Sequence, residues 1–155
     1  MSMNRFLCSA VVAALLIPAV VLTAEPTARE LQKARHDHYH ELGDAFKVVR
    51  DQTRSDTPDL AKIKTAAKEV NDASVNQEQW FPAGTGPDAG KTEALAEIWS
   101  KPAEFKAAMK LFSDSAPKLY AAANGGDVAA IKTAFGDVGK SCKNCHENFR
   151  AKEHD

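Results

Sequence analysis

At 155 residues the chain has room for one domain with a real core and too little for two. With 44% hydrophobic and 26% charged residues it falls among folded soluble proteins, which excludes collagen-like, mucin-like and low-complexity classes. Lys and Arg (20) nearly balance Asp and Glu (21), so the basic excess of a general nucleic-acid binder is missing.

The first segment, residues 1–24, differs from the rest. Arg5 is its only charge, and Phe6 to Leu22 are almost all apolar, broken by Pro18. A positive start, an apolar stretch and Thr23-Ala24 before Glu25-Pro26 read as a secretory signal peptide cleaved after Ala24. The stretch lies at the low edge of spanning length, and no later segment reaches that length, so residues 25–155 are expected to form one soluble exported domain. Cys8 leaves with the signal, because Arg5-Phe6-Leu7 is not a lipoprotein cleavage context. Cys142 and Cys145 remain, and an exported chain with one such close pair is not a disulfide scaffold.

Four amphipathic helices follow. Thr27-Ala28-Arg29-Glu30 is a capping-box pattern, and Leu31, Arg35, His38/Tyr39, Leu42, Ala45/Phe46 and Val49 recur at helical spacing until the pattern frays around Thr53 to Ser55. The second helix is expected to start at Asp56-Thr57-Pro58 and to carry Leu60, Ile63, Ala67 and Val70 on one side. Residues 77–100 hold the breakers Pro82, Gly84, Gly86 and Pro87 together with Trp80 and Trp99, which predicts a packed loop with a short helical turn around Glu93 to Ile98. The third helix starts near Ser100-Lys101-Pro102, buries Phe105, Met109, Phe112, Ala116 and Leu119/Tyr120, and stops at Asn124-Gly125-Gly126. Asp127 caps the fourth. Its stripe of Val128, Ile131, Phe135, Val138, Cys142, Cys145 and Phe149 alternates steps of three and four, the spacing of near-parallel helix packing. The expected fold is all-α, an antiparallel four-helix bundle over residues 25–155.

Cys142-Lys143-Asn144-Cys145-His146 carries the chemistry. In a C-x-x-C-H motif two thiols three residues apart on one helix reach the two vinyl groups of a haem, and the next residue offers its imidazole to the iron. Competing readings fit less well. A structural zinc site wants four Cys or His ligands, a thioredoxin-like pair follows a strand, and a plain disulfide does not require His146. Cys142 and Cys145 are therefore read as the covalent attachment of one haem c, with His146 as an axial iron ligand. Export agrees with this, because such attachment takes place outside the cytoplasm.

With this motif near the C-terminus, on the last helix of a predicted bundle, residues 25–155 resemble the class II c-type cytochromes, chiefly cytochrome c′. Phe149-Arg150 after the haem histidine, Phe81-Pro82-Ala83-Gly84-Thr85 and Ile98-Trp99 match sequence features of that family. The resemblance implies that Arg35, His36 and Thr85 lie at the haem periphery. It further implies that Tyr39, Leu42 and Phe46 form a distal pocket, and that Phe149 and Arg150 lie on the proximal side. It implies a periplasmic protein that transfers electrons and binds NO or CO at a five-coordinate iron, since Tyr39 stands where an electron-transfer relative would place methionine. Met109 is read as core packing.

The alternative is a six-coordinate, low-spin electron carrier in which a first-helix histidine closes the iron, because His36, His38 and His40 crowd that helix and His38 falls on its inward stripe. No acid, base or substrate pocket is readable, so an enzyme is not expected. Lys140, Lys143, Arg150 and Lys152 offer a docking face for an acidic redox partner in the periplasm. The resemblance also implies a homodimer through the first two helices.

Overall fold

The computed structural model describes residues 25–152. The expected signal peptide, with Arg5 and Cys8, lies outside the described residues, as does His154. Four main helices pack as a bundle: α1 (Ala28–Arg54), α2 (Leu60–Ala73), α4 (Pro102–Gly125) and α5 (Val128–Phe149). The single turn α3 (Glu97–Ser100) precedes α4. Short links join α1 to α2 and α4 to α5, so each pair packs side by side, and α2 packs on α4 to close the bundle. No strand forms among the described residues, where a lone bridge pairs Ala94 with Arg150.

Local sequence accounts for most helix ends. The Thr27 hydroxyl accepts from the Glu30 amide at 3.3 Å while the Glu30 carboxylate accepts from the Thr27 amide at 2.7 Å, the reciprocal box expected there. Asp127 accepts from the Ala129 amide at 2.8 Å, and Gly126 ends α4 with φ 74°, a left-handed conformation that favours glycine. The start of α2 differs from expectation. Asp59, not Asp56, is the cap, accepting from the Ala61 and Lys62 amides at 3.0 and 3.1 Å, and Leu60 is 42% exposed. A carboxylate directly before the first turn outcompetes one three residues upstream, because only it reaches the free amides. Asp59→Ala is expected to cost about 1 kcal/mol in urea unfolding of the whole protein. The turn expected at Glu93 to Ile98 sits slightly later, at α3, and Pro117 lies within α4 without ending it.

The core has two parts. Val49, Ile63, Ala67, Val70, Ala116, Leu119, Ile131 and Val138 fill the middle of the bundle. Ile98, Phe105, Ala108, Met109 and Phe149 form a second cluster, with Phe81, Trp99 and Cys145 packed on it. Met109 is thus a core residue, as expected. His38 is not: it is exposed and lies against Trp80 with ring centroids 4.7 Å apart. Gln32 and Arg35 take the buried positions on that part of α1.

Candidate functional site

The loop between α2 and α4 is built around one guanidinium. Gly84 turns the chain with φ 78°, and the buried Thr85 that follows donates its hydroxyl to the Pro82 carbonyl at 2.8 Å. Trp99 Nε1 donates to the Phe81 and Pro82 carbonyls, and a Cβ on Gly86 would come within 3.2 Å of the Trp99 ring. Into this turn projects Arg35, only 4% exposed. Its Nη1 donates to the Trp80 carbonyl at 3.2 Å and to Thr85 Oγ1 at 3.1 Å, and its Nη2 to the Thr85 carbonyl at 3.1 Å and Thr92 Oγ1 at 3.0 Å. The guanidinium carbon lies 4.8 Å from the Phe81 ring centre. Gln32 adds a bond from Nε2 to the Gly86 carbonyl at 2.9 Å.

Beside this loop α1, α4 and α5 enclose a cavity of about 610 Å³, within the range of roughly 300–1,000 Å³ usual for cofactor sites. The structure brings together on its walls Cys142, Cys145, His146, Phe149 and Arg150 from the end of α5 and Arg35, His36, Tyr39, Leu42 and Phe46 from α1. Thr85 is the exception among the residues read as peripheral: it holds Arg35 from behind and does not line the cavity. Phe46, on the cavity wall, stacks on Phe135 with ring centroids 4.1 Å apart. Near Phe149 the Leu95 amide donates to the Phe149 carbonyl at 3.0 Å and the Ala151 amide to the Glu93 carbonyl at 2.7 Å. Arg150 Nε donates to Glu93 Oε2 at 2.7 Å, so the end of α5 is tied to the loop.

The electrostatics favour neutral groups inside. Both thiols are free; burial raises the Cys142 pKa and pushes that of Cys145 up to about 11. They are therefore not the low-pKa thiolates of a redox pair. Partial desolvation, aided by the nearby Arg150 charge and opposed by Glu93, lowers the pKa of His146, which favours the neutral imidazole that ligates metals. Burial also holds the Tyr39 phenol far above the ordinary tyrosine range, so it stays neutral.

Three residues here escape sequence reading. Gln32 and Glu93 act through partners more than fifty positions away, which no local pattern announces. Gln77, 5% exposed, lines the cavity with a buried Nε2 that has no hydrogen-bond partner among the described residues. Burying an unpaired amide is costly, and only its place amid breakers and aromatics marked the segment.

An apolar cavity with two free thiols, a neutral imidazole, an unpartnered amide and a buried guanidinium fits a haem with its anionic propionates. Arg35 takes part in none of the ion pairs found among the described residues, so its charge still wants an anion. Fold and site together define a helical-bundle protein organised around one cofactor cavity at the end of its last helix.

Comparison with known proteins makes this particular. Residues 30–150 match the family model described as Cytochrome C′. A cytochrome c′ of Rhodospirillum rubrum is 34% identical over 96% of this chain and 99% of its own length. A carbon monoxide-bound variant of the cytochrome c′ of Alcaligenes xylosoxidans superposes with a TM-score of 0.73 at 33% identity, covering 81% of this chain and 98% of that one. The nitric oxide complex of another variant of that protein gives 0.69 at 34% identity, covering 81% and 98%. The chain belongs to the cytochrome c′ family of haem proteins.

Proposed function

We propose that Cys142 and Cys145 carry one haem c through thioether bonds and that His146 ligates its iron. In this reading the protein is exported to the periplasm, transfers single electrons and binds small neutral gases at a five-coordinate iron. The haem, when bound, supplies a one-electron couple and an open coordination position. The observation that carries the open position is the wall of α1 facing the motif, where Tyr39, Leu42 and Phe46 present neutral or apolar surface to the cavity. Of the α1 histidines, His38 lies on Trp80, while His36 and His40 border the cavity but are exposed and face each other. Met109 is embedded with Phe105 and Phe149. Carbon monoxide and nitric oxide complexes of variants of the Alcaligenes xylosoxidans protein support gas binding here.

The other side chains position and shield. Arg35 and His36 reach the cavity where propionates would sit, and Arg150, held by Glu93, borders the face of His146. Near the motif Lys140 pairs with Asp137 at 2.9 Å and Lys143 with Glu147 at 3.6 Å, which offsets the positive face expected to attract an acidic redox partner. Val48 and Leu60 are exposed apolar side chains on α1 and α2, the helices through which a homodimer would form.

Absorption spectra test the reading. The reduced protein is expected to be high-spin and to bind CO rapidly; a low-spin spectrum indifferent to CO would sink it. In Tyr39→Ala the CO association rate should rise roughly tenfold, equivalent to removing about 1.4 kcal/mol of barrier. An unchanged rate places the guard elsewhere.

A further inference from the structure

The structure assigns a second, separate metal site: His36 and His40 form a two-histidine chelate for a late divalent transition-metal ion at the rim of the haem cavity. The two residues are one turn apart on α1, so their side chains emerge on the same face. Both are exposed, and their ring centroids lie 4.3 Å apart. Their Nε2 atoms approach to 3.1 Å. With metal–nitrogen bonds of about 2.0–2.1 Å, that separation subtends an angle of roughly 95–102° at a shared ion. Such an angle falls between square-planar and tetrahedral coordination, so the pair can chelate with little rearrangement of its rotamers.

The surroundings of the pair favour the same outcome. The two Nε2 atoms already face each other, so an ion between them meets both lone pairs once each ring carries its proton on Nδ1. The ring of His36 turns Nδ1 toward Asp37 Oδ1 at 3.7 Å, and Asp37 is itself held by Lys33. A carboxylate on that side favours the tautomer with its proton on Nδ1, which frees Nε2 for the metal. Among the described residues no third His, Cys, Asp or Glu completes the set. Water therefore fills the remaining positions, and a mixed nitrogen and oxygen donor set of this kind prefers Cu²⁺ over the other first-row divalent ions.

The test titrates the ferric holoprotein with Cu²⁺ alone, by calorimetry and by the copper EPR spectrum. One site with nitrogen hyperfine structure is expected. His36→Gln and His40→Gln should each weaken it by on the order of tenfold or more, while His38→Gln, on the same helix but turned to Trp80, leaves it unchanged. Three outcomes overturn the assignment: no binding by the parent protein, equal affinity in all three variants, or an equal loss in His38→Gln. A change in the spin state of the ferric haem in His40→Gln also overturns it, since that histidine would then ligate the haem iron. All three side chains are exposed, so the variants are expected to fold as the parent does.

Discussion

Replacing Cys142 and Cys145 together by alanine is expected to abolish covalent pigment. The parent protein, purified after export, should weigh more than its polypeptide by one haem and keep its colour in acidified acetone. The double variant should weigh what its polypeptide weighs and lose all colour on extraction. Each thiol is half-buried at the cavity wall, and burial keeps both protonated near neutral pH. Neither is an activated nucleophile, so bond formation depends on a vinyl group being held against the motif. His146 remains in the double variant, and its neutral imidazole can still meet an iron. Loosely bound haem is therefore compatible with the prediction, while haem that resists extraction from the double variant contradicts it. Single variants should retain one bond and an intermediate spectrum.

Arg35→Met carries the largest expected change in stability, a loss of about 2–4 kcal/mol in denaturant unfolding of the holoprotein. The substitution keeps most of the stem volume but removes the donors of four hydrogen bonds, to the Trp80 and Thr85 carbonyls and the Thr85 and Thr92 hydroxyls. Bonds from a charged donor contribute about 1.5–3 kcal/mol each. Two effects reduce the sum: the loop partly relaxes toward water, and a buried cation no longer has to be desolvated. Arg35→Lys should recover only part of the loss, because an ammonium keeps the charge but not the planar fork that reaches both sides of the turn. An unchanged unfolding midpoint in Arg35→Met would show that Trp99 and Gln32 hold the loop without it.

The first histidine-bearing turns of α1 show where sequence reading succeeds and where it slips. Spacing identified the helix and the inward placement of Arg35, Ala45 and Val49, all buried. It also put His38 on the inward stripe, where the structure has an exposed ring against Trp80. At about 100° per residue, His38 falls within the arc spanned by Arg35, Leu42 and Ala45, so periodicity alone places it inward. Whether a position on that arc is covered depends on the neighbouring element, here a loop with no periodicity. Arg35 illustrates the same limit: its burial and its need for a partner were legible, but the oxygens that surround it come from residues 45 to 57 positions away.

The sequence by itself determined the class of structure, the four helices, most of their caps and the five-residue motif. Those rest on interactions within a turn or two of the chain, and on thiol and imidazole chemistry carried by contiguous residues. Only the tertiary structure decided that Arg35 is clamped by the loop, that Thr85 stands behind it rather than at the cavity, that Gln77 is buried without a partner, and that His36 and His40 meet at the rim. Each of these depends on how helices and loop are set against one another, a relation fixed by long-range packing and by the solvation of buried polar groups.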